Sequence, residues 1–165
     1  MVVPATAAKP KVAYVVSSLR TASACKKVAG PAAGEEGDFA TFRCPGTAGY
    51  RLILGYDDSR ENLTVVAPGG KQSDLELWTR VGSTFSSLGE SVEWRVVGGT
   101  PVALTVRYVL SGSDDSGTST SWLVVVKITA ARTCVTTMVP PGPEQNAKAR
   151  ALAATATTKP CLPAL

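Results

Sequence analysis

The amino-acid sequence predicts an α+β fold: a mainly antiparallel β-sheet of about seven or eight strands with a C-terminal helix. Three observations carry that expectation. Apolar and polar residues alternate with a period of two through most of the chain, between clusters of turn residues. Four cysteines occur and none belongs to a C-x-x-C pair, which reads as two disulfides rather than a metal or redox site. After Pro143 the β-branched residues give way to an alanine-rich stretch.

Residues 1–10 read as a tail or the remnant of a removed secretory signal. Ala5-Thr6-Ala7 has the small-x-small form of a cleavage site, although the charged start and apolar centre of a signal are missing. Residues 11–165 then form a single domain of ordinary size. The first strand, KVAYVVSSL, sets Val12, Tyr14 and Val16 on one apolar face. FATFRC places Phe39, Thr41 and Arg43 opposite Ala40, Phe42 and Cys44, and YRLILGYDD aligns Tyr50, Leu52, Leu54 and Tyr56. ENLTVVAP is a short strand stopped by Pro68 and Gly69-Gly70.

Leu75, Trp78 and Val81 recur at helical spacing, so a short helix is expected at 73–80, capped by Ser73 or Asp74. SVEWRVV turns Val92, Trp94 and Val96 inward; PVALTVRYVL does the same with Val102, Leu104, Val106, Tyr108 and Leu110, and SWLVVVKIT with Trp122, Val124, Val126 and Ile128. Gly98-Gly99 makes a tight hairpin between the first two, and the three runs form a meander. TCVTTMV is the last strand. A helix follows from Pro143 to Ala154, with Pro143 in its first turn and a thin apolar face of Ala147, Ala151 and Leu152.

Four cysteines allow three pairings. Cys25–Cys44 with Cys134–Cys161 is favoured, because each pair is near in sequence and each closes one end of the chain. Each bridge contributes on the order of 3 kcal/mol by the loop-entropy model. Disulfides form in an oxidising compartment, so a periplasmic or extracellular location is expected. Within FRCPGTAGY, Arg43 beside Cys44 at first suggests a thiol of lowered pKa. With no histidine to act as base, Cys44 reads instead as a staple, with Arg43 on the opposite face of the strand.

The absence of histidine excludes Ser-His-Asp and Cys-His catalysis. Gly69-Gly70-Lys71-Gln72 lacks the glycine and hydroxyl of a P-loop, and no G-x-S-x-G elbow occurs. Ser23-Ala24-Cys25-Lys26 fits S-x-x-K without that class's companion motifs. Asp57 and Asp58 diverge if they lie on a strand. Asp114-Asp115 sits in an oxygen-rich loop but misses the calcium-loop spacing. The Asn62-Leu63-Thr64 sequon reads as chance. No catalytic residue, metal ligand or cofactor is assigned.

What remains is charge. The net charge is +4, from 17 basic and 13 acidic residues. Arg51, Arg95, Arg107 and Lys127 all fall opposite the main apolar face of their strands. If those strands share a sheet, its outer face carries a basic stripe diluted by Glu93, suited to an acidic protein or an anionic envelope component. Lys26-Lys27 is the densest basic run, too little for a nucleic-acid surface. No apolar run reaches the roughly 20 residues of a membrane-spanning helix. Nothing in the sequence sets an oligomeric state.

FRCPG…GY at 42–50, FSSLGESVEWR at 85–95, and a late strand, cysteine and alanine-rich helix together resemble a group of small uncharacterised secreted proteins of rhizobia-like alphaproteobacteria. The resemblance covers about residues 15–155 and departs from the group at the Ser/Asp loop 111–120. It implies a periplasmic or extracellular protein and carries no activity with it. The functional expectation is a non-enzymatic binding or inhibitor-like module. The alternatives are a carboxylate-based hydrolase of envelope glycans and a structural envelope protein.

Overall fold

A computed structural model describes residues 2–112 and 117–165. Asp114-Asp115, and any oxygen site there, lie outside the described residues. Residues 2–11 carry no regular secondary structure and are exposed; at their end the Lys11 carbonyl accepts the Gly98 N–H at 2.9 Å.

Ten strands and two helices follow in order: β1 (Val12–Ser18), β2 (Lys26–Ala29), β3 (Phe39–Cys44), β4 (Arg51–Asp57), β5 (Arg60–Val66), β6 (Gln72–Asp74), α1 (Leu77–Arg80), β7 (Ser86–Val97), β8 (Thr100–Ser111), β9 (Ser119–Ile128), β10 (Thr133–Val139) and α2 (Gln145–Ala153). They build two antiparallel sheets of five strands each, ordered β1-β7-β8-β9-β10 and β2-β3-β4-β5-β6. The expected meander is present as β7-β8-β9. Its hairpin turns at Gly98 and Gly99 with φ of 57° and 81°, both left-handed as a two-residue type I′ turn requires.

The inner faces of the two sheets share one core. Leu52, Leu54, Leu63 and Val65 of the second sheet meet Val92, Trp94, Leu104, Val106, Tyr108, Val124 and Val126 of the first. Trp94 and Tyr108 are fully buried, and each finds a polar partner. The Trp94 indole N–H donates to Ser17 Oγ at 2.9 Å and the Tyr108 hydroxyl to Ser86 Oγ at 2.9 Å.

β9 is apolar on both sides because both sides are covered. Val124, Val126 and Ile128 face the sheet-to-sheet core, whereas Leu123 and Val125 pack with Ala103, Val139, Ala149, Ala153 and Ala156 under α2 and the 3-10 turn Ala156–Thr158. Small residues on both elements let the helix approach the sheet closely.

Three local expectations are corrected, and two further strands are added. Val12, Tyr14 and Val16 point outward, and β1 turns Val15 and Ser17 toward the core. The run VAYVV is apolar on both faces, so alternation alone could not choose, and the Trp94 bond accounts for a buried serine. The helix at 73–80 shrinks to the single turn α1, because 72–74 pairs with β5 instead. Asp74 still serves that turn, accepting the Glu76 N–H at 2.7 Å. In α2 the buried residues are Ala149 and Ala153, with Leu152 partly covered, while Ala147 and Ala151 are exposed. Finally, β2 and β6 are strands too short for a periodic signal.

The disulfides are Cys25–Cys44 and Cys134–Cys161. The second fastens the C-terminal segment along β10, where the Leu162 N–H donates to the Val135 carbonyl at 2.8 Å. Arg80 Nη1 holds the Leu162 carbonyl at 2.8 Å from the other side.

Candidate functional site

The four cations expected to form one stripe are divided between the sheets. Arg51 lies on β4 in the second sheet, whereas Arg95, Arg107 and Lys127 lie on β7, β8 and β9 in the first. Alternation tells which face of its own strand a residue takes, not which sheet that strand joins. The single basic stripe is therefore corrected to two separate faces.

On the first sheet the cations are engaged within the molecule. Arg95 and Lys127 flank the buried Ala103 in one row across β7, β8 and β9. Lys127 Nζ donates to the Lys159 carbonyl at 2.7 Å. Arg107 Nη1 donates to Ser121 Oγ at 2.6 Å and to Gln145 Oε1 at 3.1 Å. Arg95 Nη1 donates to the Tyr14 hydroxyl at 2.9 Å. Arg150 of α2 binds both carboxylate oxygens of Glu93 at 2.9 Å and stands 4.4 Å from the Tyr14 ring centroid. Its charged form is held by Glu93, through hydrogen bonding first and charge attraction second. These contacts tie α2 to β1, β7 and β8. Beside them runs an open groove of about 750 Å³, lined by Val16, Glu93, Thr105, Arg107, Leu123 and Arg150 among others, with Glu90 and Glu93 offsetting its two arginines.

The second sheet presents a different arrangement. Lys26 of β2 lies directly opposite Arg43 of β3, and Arg43 lies opposite Ile53 of β4. Arg51 is two residues from Ile53 on the same strand, hence on the same face and diagonal to Arg43. All three cations are exposed. Among the described residues none of them meets a carboxylate within ion-pair distance. Arg43 and Arg51 line a hollow of about 210 Å³ with Ile53, Val66, Gly70 and Gln72. Like charges directly opposite on a ladder cost stability, so this triad is not there to hold the sheet together.

The disulfide sets that juxtaposition. Lys26 and Arg43 are paired, so extending the antiparallel register by one residue brings Cys25 opposite Cys44, whose Cα atoms are 4.2 Å apart. The turn after Cys44 is tight: a Cβ on Gly46 would fall 2.1 Å from the Tyr50 carbonyl oxygen. Lys26 escaped the sequence reading because KKVA is short and polar. The signal that finds it is the favoured Cys25–Cys44 bridge, since an antiparallel ladder through that pair puts Lys26 against Arg43.

One carboxylate stands apart. Glu61 is half-buried, and its Oε2 accepts the Leu88 N–H at 2.5 Å. Burial pushes its carboxyl above the usual range, and the Leu88 bond opposes the shift. Glu61 and Glu90 share a shallow hollow of about 370 Å³, where Glu90 is paired with Arg20 at 2.7 Å. Asp57 and Asp58 do not act together: Asp58 sits in the β4–β5 turn and binds Arg60 at 2.8 Å. The described residues contain no group of three or more His, Cys, Asp or Glu able to hold a metal ion, and no helix long and apolar enough to cross a membrane. No protein-family model, curated protein or solved structure matches the chain.

Proposed function

We propose that this protein is a non-enzymatic binding module of the periplasm or cell exterior. Its outer second-sheet face, Lys26, Arg43 and Arg51, docks an anionic partner: an acidic protein or an anionic envelope component. The observation that carries the reading is the directly opposed Lys26–Arg43 pair with Arg51 diagonal to it, all exposed and without a carboxylate among the described residues. Such a cluster costs a little in folding and gains when an anion arrives. The Cys25–Cys44 disulfide and the paired strands keep the cations in place, as preorganised recognition requires. The compartment rests on the same disulfides and on the resemblance to small secreted proteins.

The test is retention of the oxidised protein on a carboxylated polysaccharide matrix against a salt gradient. Wild type elutes late. The doubly reversed variant Arg43→Glu/Arg51→Glu elutes near the void, and Arg95→Glu behaves like wild type. Equal retention of all three proteins refutes the assignment.

A second reading, a carboxylate-based hydrolase of envelope glycans, draws on Glu61 and Glu90 in one hollow and on the raised Glu61 pKa. It is the weaker one: the Leu88 amide already engages Glu61 and Arg20 engages Glu90, in an open depression rather than a cleft.

A further inference from the structure

Each sheet has two edges, and three of the four are guarded. β10 is lined by the C-terminal segment, through the Cys134–Cys161 bridge and the Leu162–Val135 hydrogen bond. β6 is only 3 residues long. β2 is 4 residues long, carries Lys26 and Lys27, and is broken by a register shift between Lys27 and Ala29. Short strands, lysines and bulges are the usual devices that keep edges from pairing.

β1 has none of them. It is 7 residues long, VAYVVSS, in uninterrupted register with β7 and without a charged residue. The bonds that flank its ladder settle which groups face out. The Gly98 N–H donates to the Lys11 carbonyl at 2.9 Å, and the Leu19 N–H donates to the Glu90 carbonyl at 2.8 Å. Odd-numbered residues therefore bond to β7, and Val12, Tyr14 and Val16 turn their N–H and C=O groups to the free edge. Among the described residues those groups have no backbone partner. The same three residues are 43%, 37% and 65% exposed.

We propose that β1 pairs with β1 of a second copy, antiparallel about a two-fold axis at Tyr14, joining two five-stranded sheets into one continuous sheet. The self-match argues for a second copy. Pairing about Tyr14 sets Val12 against Val16 of the other copy twice, and Tyr14 against its equivalent. This satisfies the outward amides and sets all three exposed side chains beside cross-strand neighbours on one face. Because β1 carries no charge, the pairing opposes no like charges along the strand. A seam of one 7-residue strand against its equivalent belongs to the small, transient class of interfaces, so the dimer is expected to be weak and concentration-dependent. The net charge of +4 makes the two copies repel, so added salt strengthens the dimer, the opposite of its effect on anion binding.

Sedimentation velocity on the oxidised protein from low micromolar to millimolar concentration tests this, with amide hydrogen exchange by NMR at both ends. The expected result is a monomer–dimer equilibrium in which the Tyr14 and Val16 amides slow at least several-fold as concentration rises. Val16→Pro removes a donor that the monomer does not use, so it leaves the monomer folded and abolishes the dimer. Val12→Lys abolishes it as well by setting a charge at the seam. A protein that stays monomeric throughout overturns the proposal and leaves β1 to a foreign strand. So does a dimer that survives both substitutions, or one whose Tyr14 and Val16 amides do not slow.

Discussion

Cys25 and Cys44 bridge β2 to β3 one residue beyond the paired Lys26 and Arg43, with their Cα atoms 4.2 Å apart. The staple that secures the edge of the second sheet is therefore also the device that holds two like charges side by side.

Removing this bridge with Cys25→Ala/Cys44→Ala should cost about 3 kcal/mol, the loop-entropy figure for a separation of 19 residues. Retention on an anionic matrix should fall too, because β2 is short and Lys26 then leaves its place beside Arg43. Cys134→Ala/Cys161→Ala, with a separation of 27, should cost about as much stability and leave retention intact. Denaturant titration and the salt gradient check the two halves separately.

Lys26→Glu should stabilise the protein by roughly 0.2–1 kcal/mol, since a like-charge cross-strand pair becomes an attractive one. The same change should weaken anion binding. A variant that gains in thermal midpoint while losing retention marks the triad as kept for binding. Loss of both, or of neither, contradicts that role.

Glu61 gives a pH dependence of definite sign. Its pKa is raised in the folded state, so the stability this group contributes is fully present below its ordinary value of 4.5 and is lost as pH rises through the raised value. Glu61→Gln keeps an acceptor for the Leu88 N–H and removes the buried charge. The variant should melt higher than wild type at neutral pH, and the gap should close below pH 4.5. Thermal melts at the two pH values suffice.

Ala153→Leu should cost about 1–3 kcal/mol by overpacking, although alanine to leucine is favourable for an exposed helix site. Ala153 is 4% exposed and packs with Ala103 and Ala156, both fully buried. Ala151→Leu, on the exposed side of α2, should be nearly neutral. Urea titration of the two variants compares them.

Much of the fold was legible because period-two alternation and turn residues are local signals. The β7-β8-β9 meander and the Gly98-Gly99 hairpin follow from them, while the alanine-rich stretch after Pro143 marks the C-terminal helix and the cysteine spacing marks both disulfides. The sheet to which a strand belongs is not local, and Arg51 was separated from Arg95, Arg107 and Lys127 for that reason. β1 misled because VAYVV is apolar on both faces, and in from out is set by partners distant in sequence: the Trp94–Ser17 hydrogen bond and the core packed on Val15. α2 misled because alanines do not mark a face until something packs on them. Arg43 is outward, as alternation against Cys44 requires. Its partner Lys26 needed a strand too short to see, although the cysteine pairing contained the register.

Titration of the isotopically labelled, oxidised protein with a short polyuronate oligosaccharide, followed by backbone amide shifts, shows whether the Lys26–Arg43–Arg51 face binds anions. Saturable shifts are expected at Lys26, Arg43, Arg51, Gly70 and Gln72, vanishing in Arg43→Glu/Arg51→Glu and weakening as salt is added. Shifts centred on Glu93, Arg107 and Arg150, or no shifts at any concentration, would contradict binding at that face.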